Sequence, residues 1–357
     1  MKELSNRLNL DFRSETSTRF PFTGSIIDVH SHINGPAASV VYGEAAKLFG
    51  IELTYSMSQL EEVPALQEKL GDSIRFIAFP KFLSDNPIYE HSDGYIRRIE
   101  EFHKLGSRIV KFWAAPRGLD YGKSFGNPDI LRLNSPERLA CMEAAADLGM
   151  YFMTHVSDPD TWFQAKYSDP STYGTKLDQY EPLEELLEKF KQPWIAAHMA
   201  GWPENLEFLD GLLSRHENLY LDTSATKWMV RELSKHPREE VVAFFSKWKK
   251  RLLFGSDIVT TDAHLDSSQN DHFKADQAKS REEAFDLYAS RYWALRTLFE
   301  TSYSGESPIS DSDLHMVNPQ RFQEEDAPTL SGKGLPSEVL EWIYSRTAKE
   351  LLEPLHT

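Results

Sequence analysis

Cysteine is almost absent from this sequence. Cys141 is the single cysteine among 357 residues, so an intramolecular disulfide is excluded, and this usage is typical of a reducing cytoplasm. Cys141 falls in the helical pattern PERLACMEAAADL. A packed core residue is therefore expected at this position rather than a nucleophile.

Long apolar runs and an excess of basic residues are also lacking. No run approaches the ~18 apolar residues of a membrane helix, and the polar first twenty residues do not resemble a secretory signal. The formal net charge of -16 argues against nucleic acid or an anionic membrane as a partner, because both require clustered Lys and Arg. We therefore expect a cytoplasmic protein that acts on a small molecule.

Short apolar runs rich in β-branched residues alternate with longer amphipathic stretches. Eight strands, each followed by helical sequence, predict an α/β fold of the (β/α)8 TIM-barrel type. A doubly wound open sheet is the alternative, but no glycine-rich phosphate fingerprint follows any strand. We expect one domain over residues 1–357 with its core at about 25–300. The eight runs are SIIDVH, ELTYSM, IRFIAF, RIVKFW, YFMTHV, WIAAHM, NLYLDT and LLFGSD.

Three segments exceed the length of ordinary loops. Residues 156–180 and 260–281 follow strands five and eight, so we interpret them as insertions at the C-terminal face that form a lid or pocket wall. Residues 302–336 form a polar insertion, interpreted as a surface excursion or a contact in a homodimer. A helix predicted at 336–354 closes the chain and could also contribute to a dimer.

Metal-type side chains occur at the downstream ends of four predicted strands. Residues two apart on a strand share a face, so His30 and His32 point the same way. Imidazole and carboxylate suit zinc, with iron, cobalt or manganese as alternatives. Any one of these histidines alone would be read as a hydrogen-bonded core residue, but their joint placement predicts a divalent-metal site. The set is His30, His32, His155, His198 and Asp257.

Several motifs resemble the amidohydrolase superfamily of metal-dependent TIM barrels. The similarity is greatest to the amidohydrolase-related branch that includes aminocarboxymuconate semialdehyde decarboxylase and related lactonases. It spans about residues 25–350 in order and spacing. The matching pieces are DVHSH at 28–32, THV at 154–156, AAHMAG at 196–201, LDTSA at 221–225 and LFGSD at 253–257.

The resemblance implies a role for each of these side chains. The implied metal ligands are His30, His32, His155 and Asp257. His198 would be the catalytic histidine that polarises the substrate or positions water, and Asp257 would also shuttle a proton. Lys111 ends the fourth strand, where binuclear relatives carry a carboxylated lysine. It would bridge a second metal or bind a substrate carboxylate, and we favour one metal.

Other side chains are candidates for the substrate pocket. Arg117 could bind a carboxylate through its guanidinium, and a surface role is its alternative. Trp113, Trp162 and Tyr173 could line the pocket, although packing explains each of them equally well. We expect the remaining histidines to be mostly solvated, namely His91, His103, His216, His236 and His356.

The motifs leave three functions open. The first is a hydrolase in which metal-activated water attacks an amide, ester or lactone. The second is a non-oxidative decarboxylase of an aromatic or muconate-type carboxylic acid, which would use the same ligands. The third is a barrel that keeps its metal without catalysis.

Overall fold

The computed structural model describes residues 4–266 and 274–356. The chain divides into two compact units. Met1–Arg75 and Thr223–Glu353 form the first, and Phe76–Asp222 and Pro354–Thr357 form the second.

All eight predicted strands are present, with three further short strands. Most strand residues are buried, as expected for parallel strands covered on both faces. The strands are β1 Ile26–His32, β2 Ile51–Ser56, β3 Ile74–Ala78, β4 Ile109–Trp113, β5 Tyr151–His155, β6 Trp194–Ala196, β7 Leu219–Asp222, β8 Leu252–Leu253, β9 Ile258–Val259, β10 Ser304–Glu306 and β11 Thr329–Ser331.

The helices follow the strands in the predicted alternation. The α-helices of the first unit are Phe12–Arg19, Pro36–Leu48, Val63–Leu70, Thr226–Lys235, Arg238–Trp248, Arg281–Glu300, Ser312–Val317, Ser337–Glu341 and Thr347–Leu352, with a π-helical turn at Trp342–Arg346. Those of the second unit are Pro87–Glu90, Asp93–Lys104, Gly118–Lys123, Pro136–Asp147, Asp160–Ala165, Pro170–Tyr173, Glu181–Lys189 and Leu206–Arg215. Shorter 3-10 turns occupy Leu60–Glu62, Gly71–Ser73, Leu177–Gln179, Lys249–Arg251, Asp262–His264, Ala275–Gln277 and Glu353–His356.

The strands β1 to β7 and β9 pair in parallel within their units, and the pairing in the second unit follows chain order. In the second unit, β3 pairs with β4, β4 with β5, β5 with β6, and β6 with β7. In the first unit, β1 pairs in parallel with β2 and with β9. The predicted α/β class, with the (β/α)8 order of elements, is confirmed. Among the described residues, no helix is long and apolar enough to cross a membrane.

The segment 302–336 is more deeply packed than the sequence predicts. Its ends form an antiparallel pair, β10 with β11. Between them, Asp311 is buried and forms an ion pair with the buried Arg231, and Asp313 Oδ2 lies 3.1 Å from an Arg231 nitrogen. The prediction of a surface excursion is therefore wrong for the part of the segment around Asp311. The ion pair between Asp311 and Arg231 attaches that part to the helix Thr226–Lys235. The predicted closing helix is present as three consecutive helical segments from Ser337.

His91 is an exception to the expectation that the remaining histidines are mostly solvated. Its side chain is 0% exposed and lies among aromatic rings, with centroid distances of 5.1 Å to Phe82, 5.7 Å to Tyr121 and 6.4 Å to Phe125. Neither ring nitrogen has a hydrogen-bond partner among the residues that the structure describes. Burial, helped by the nearby Arg138 charge, lowers the pKa of His91 to about 3. His216 is buried as well.

This burial predicts a loss of stability in mild acid. Because the folded-state pKa lies below the unfolded value of 6.5, only the unfolded chain takes up this proton as the pH falls from 6.5 towards 3. We expect His91 to cost about 2 kcal/mol of unfolding free energy at pH 5 relative to pH 7. His91→Phe removes that cost, so urea unfolding should give the variant a flatter pH dependence than the native protein. Parallel curves for the two proteins would contradict this assignment.

Candidate metal centre and active site

The first unit brings His30, His32 and Asp257 together. His30 and His32 lie on β1, and Asp257 lies in the turn between β8 and β9. The Oδ1 atom of Asp257 is 3.6 Å from His30 Nε2 and 3.3 Å from His32 Nε2. One ligand atom from each of the three side chains lies within 4.8 Å of the others. The convergence that the HxH spacing predicts is therefore present.

The separations between these atoms suit a shared ion. Two ligands held at 2.0–2.1 Å from a tetrahedral zinc lie about 3.3 Å apart, whereas an N–H···O hydrogen bond is usually about 2.7–3.2 Å long. The observed 3.3 and 3.6 Å are longer than direct hydrogen bonds and close to the edge of such a tetrahedron. The donor set of two imidazoles and one carboxylate thus fits a divalent metal in both chemistry and spacing.

The ring of His30 is oriented from behind by Ser224. The Ser224 hydroxyl lies 3.0 Å from His30 Nδ1, and Nε2 is the nitrogen that faces Asp257. Gly255 makes this approach possible, since a Cβ there would lie 3.0 Å from the Cβ atoms of both His30 and Ser224. The glycine of the LFGSD motif therefore avoids a tight contact with a metal-type histidine.

Asp257 is held in an unusual backbone conformation. Its φ is 60°, a left-handed value that aspartate tolerates better than most residues. Its N–H donates to the His30 carbonyl at 2.8 Å. β9, a strand that the sequence pattern did not indicate, then pairs Ile258 with Ser31 and Val259 with His32. The turn that carries the carboxylate is thus tied directly to the strand that carries the histidines.

Asp28 connects β1 to the turn that carries Asp257. Its carboxylate is buried and accepts hydrogen bonds from the Ser256 hydroxyl at 2.5 Å, the Tyr292 hydroxyl at 2.9 Å and the His30 N–H at 3.1 Å. Burial raises the pKa of Asp28 to about 7, against the lowering effect of these hydrogen bonds. Asp28 therefore links β1 to the residue that precedes Asp257.

The second unit brings His155 and His198 together. His155 ends β5, and His198 lies two residues beyond β6 at a φ of 59°. The two imidazole rings meet edge to face with a centroid distance of 4.6 Å. The His198 N–H donates to Asp222 Oδ1 at 2.9 Å. Gly201 completes the left-handed turn at a φ of 73°, where a Cβ would lie 2.0 Å from the Ser157 carbonyl oxygen.

A buried carboxylate next to His155 was not anticipated from the sequence. His155 Nε2 lies 2.7 Å from Asp158 Oδ1, and the Tyr167 hydroxyl donates to Asp158 Oδ2 at 2.5 Å. Burial alone would raise the pKa of Asp158, but the His155 ring and the hydrogen bonds hold it below its ordinary value. The sequence signal that could have revealed this pair is an acidic residue three positions after a histidine at the end of a strand.

Most of the predicted pocket residues cluster near His155. Lys111 is buried and lies on the same face of β4 as Trp113, because the two residues are two positions apart. The Trp113 ring centroid lies 6.4 Å from that of His155. The Arg117 guanidinium lies 5.1 Å from the Trp113 ring centroid and 5.4 Å from that of Trp162. An exposed cation is thus held between two indoles, as in a cation–π clamp.

Tyr173 contacts the ring of Tyr167, with a centroid distance of 5.1 Å. Its hydroxyl donates to Asp120 Oδ2 at 2.8 Å. Its ring lines a cavity of about 500 Å³ together with Ala114 and Val156. Tyr173 therefore lines a cavity of the second unit, as expected of a predicted pocket residue.

The predicted insertion 260–281 follows β9 and is held by the side chains of Asp262 and His264. Asp262 Oδ1 accepts the Ala38 N–H at 2.8 Å. His264 Nε2 lies 2.9 Å from the Lys274 carbonyl oxygen, and its Nδ1 lies 2.9 Å from the Tyr288 hydroxyl. These contacts fix the loop within the first unit. His272 lies outside the described residues.

Parallel strands alternate with helices, and a His–His–Asp set lies at the end of the first strand. Both features are typical of metal-dependent enzymes of the α/β barrel class. The sequence model of the amidohydrolase family matches residues 122–353, about two thirds of the chain. The chain belongs to that family, and the predicted amidohydrolase-related branch is confirmed. The specific similarity to aminocarboxymuconate semialdehyde decarboxylase stays a prediction.

Solved structures with a similar fold include two of an amidohydrolase from Burkholderia multivorans. The form with bound HEPES is 11% identical, with a TM-score of 0.45, and the match covers 92% of this chain and 99% of that one. The form with bound zinc is 11% identical, with a TM-score of 0.44 and the same coverage. Bacillus subtilis HMG-CoA lyase is 11% identical, with a TM-score of 0.40, and covers 77% of this chain and 93% of that one. No curated protein matches the sequence.

Proposed function

We propose that this protein is a hydrolase that uses metal-activated water to cleave an amide, ester or lactone of a small molecule. The observation that carries the proposal is the spacing of His30, His32 and Asp257, whose ligand atoms suit one shared divalent ion. Zinc is the proposed ion, and iron, cobalt and manganese are compatible with the same donors. By the sequence resemblance, His155 supplies a further ligand.

Each chemical role falls to a residue of the chain. A bound divalent ion supplies a water of lowered pKa and polarises the substrate oxygen. Asp257 takes the proton of that water at its carboxylate and later returns it to the leaving group. The ring of His198 donates a hydrogen bond to the substrate oxygen as negative charge develops there. Both roles act without a serine or cysteine nucleophile.

Arg117 supports a second candidate, a non-oxidative decarboxylase. A guanidinium held between Trp113 and Trp162 suits a carboxylate of the substrate, because its planar group of N–H donors can bind both carboxylate oxygens. An anionic substrate is compatible with hydrolysis as well, so this clamp alone does not favour decarboxylation over hydrolysis. Lys111 would assist the clamp or bridge a second metal, and a homodimer remains our proposal for the assembly.

The experiment that tests the function compares metal-free and reloaded protein. Protein stripped with a chelator should lose its activity, and one equivalent of zinc, cobalt, manganese or ferrous iron should restore hydrolysis of a panel of esters, lactones and amides. A second panel, of aromatic and muconate-type carboxylic acids, should release no carbon dioxide.

Any other outcome of these experiments would change the proposed function or the role of one residue. Carbon dioxide release without hydrolysis would replace the hydrolase by the decarboxylase. Two ions per chain in the isolated protein would assign Lys111 to a second metal. Activity that survives in His198→Asn, with metal retained, would remove the catalytic role proposed for that histidine. His236→Asn is the matched control, because it makes the same chemical change at a partly exposed histidine that is not among the predicted site residues.

A further inference from the structure

The second unit contains a cavity of about 500 Å³ at its surface. Pockets that bind small molecules have volumes of about 300–1,000 Å³, so this cavity is large enough for one. Its walls include Ala114 and Val156, the residues that directly follow β4 and β5. Trp113, His155 and Arg117 are not among its lining residues. The cavity is therefore distinct from the indole-bound arginine and from the candidate histidine.

The cavity lies on the opposite face of these two strands from His155. Trp113 and His155 are paired neighbours in the sheet, so their side chains point to the same side. Ala114 and Val156 come one residue later, and successive residues of a strand point to opposite sides. The Ala114 N–H still donates to the His155 carbonyl oxygen at 2.8 Å, so the pairing continues to this residue. A ligand in the cavity would therefore lie on the other side of the strands from the His155 ring.

One part of the cavity wall is apolar. Leu131, Leu133 and Ala115 line it, and all three are buried in the protein. Tyr173 adds an aromatic ring, held in place by the hydrogen bond from its hydroxyl to Asp120 Oδ2 at 2.8 Å. Such surfaces favour a ligand with an apolar body, because their contact with that body removes apolar area from water.

The charged part of the wall is predominantly acidic. It contains the carboxylates of Asp178, Glu181 and Glu185. It also contains the guanidinium of Arg132, but this group already pairs with Asp129 at 3.0 Å. The carboxylates therefore dominate the charge of the cavity, which attracts a cation more strongly than an anion.

The three carboxylates retain oxygens that can accept a donor from a ligand. The Glu181 side chain has no ion-pair or hydrogen-bond partner within residues 4–266 and 274–356. Glu185 Oε2 accepts the Asn134 amide at 3.1 Å, and Asp178 Oδ2 accepts the Thr175 N–H at 2.7 Å. Each of these bonds uses one carboxylate oxygen. The bond from Thr175 also lowers the pKa of Asp178, which keeps this carboxylate ionised at neutral pH.

We propose that this cavity is a second binding site, for a small organic molecule that joins an apolar body to an ammonium group. The leucines and the Tyr173 ring receive the apolar body. The carboxylates accept the N–H groups of the ammonium, and the face of the tyrosine ring is a further favourable contact for a cation. The site contains none of the proposed metal ligands, so it does not depend on the proposed function.

Three indoles of similar shape test the preference for a cation. Tryptamine carries an ammonium group, tryptophol a hydroxyl and indole-3-propionate a carboxylate. Isothermal titration calorimetry at low ionic strength is performed on metal-free protein, so that the metal centre does not contribute. We expect tryptamine to bind about 10-fold more tightly than tryptophol, and indole-3-propionate to bind more weakly than either. Equal affinities, tighter binding of the carboxylate, or no binding of tryptamine would overturn the proposal.

Two changes in the cavity test its location. Ala114→Leu fills the space between the strands and the apolar wall, and it should abolish tryptamine binding. Glu181→Gln combined with Glu185→Gln should weaken tryptamine about 10-fold and leave tryptophol unchanged. The second change keeps the test valid if Ala114→Leu does not fold.

The matched control is Glu143→Gln combined with Glu188→Gln. These exposed glutamates pair with Lys189 and Lys191 and do not line the cavity, so the control should bind tryptamine as the native protein does. Native affinity in a folded Ala114→Leu variant would place the ligand elsewhere and overturn the proposal. Loss of tryptamine binding in His155→Gln would do the same, because it would assign the ligand to the opposite face of the strands.

Discussion

Replacing both His30 and His32 by alanine is expected to remove the bound metal and to lower turnover by at least about 1,000-fold. The physical reason is that two of the three converging ligand atoms disappear together, and without the ion the pKa of water returns from about 7 to about 16. Metal content by mass spectrometry and turnover on the best substrate of the panel are the two measurements.

The fold is expected to survive this double change. The side chain of His32 is 34% exposed, so its loss exposes little new apolar surface. His30 is buried beside Ser224, and we expect its removal to cost about 1–3 kcal/mol, chiefly through the hydroxyl left without that partner. Far-UV circular dichroism should therefore change little. Metal retained at the native level in the double variant would show that the ion is bound elsewhere.

Asp257→Asn is expected to separate catalysis from metal binding. We expect turnover to fall by about 100–10,000-fold, because an amide cannot accept and return the proton of the water. Metal content should fall much less, since the asparagine oxygen can still bind the ion. Asparagine also tolerates the left-handed backbone at this position, where φ is 60°.

The control for this substitution is Asp147→Asn, which makes the same chemical change at an exposed position near a helix end. It should leave both turnover and metal content unchanged. If Asp257→Asn kept its native turnover, the proton would have to be carried by another group. If it lost metal and activity in equal proportion, Asp257 would act as a ligand alone.

The strands and the first-strand histidines could be predicted from the sequence for a simple physical reason. Buried parallel strands are read as short continuous apolar runs, and the period of two places His30 and His32 on one face. The strand ends then locate polar side chains such as His155. Patterns among residues close together in the sequence were sufficient to predict the strands and the histidines at their ends.

The supporting contacts could not be predicted, because they join residues that are distant in the chain. Ser224 bonds to the ring of His30 across 194 positions, and Asp28 bonds to Ser256 across 228. The left-handed backbone at His198 and Asp257 also lacks a sequence signal, since neither is glycine. Burial of His91 depends on rings from two other segments of the second unit, one with Phe82 and one with Tyr121 and Phe125.

The central claim is that His30, His32 and Asp257 bind one divalent ion. Diffraction data collected at the zinc absorption edge from zinc-loaded crystals would test it most directly. The account predicts one anomalous peak per chain, about 2.0–2.2 Å from Nε2 of both histidines and from a carboxylate oxygen of Asp257. A peak elsewhere, or none in protein that hydrolyses its substrate, would contradict it.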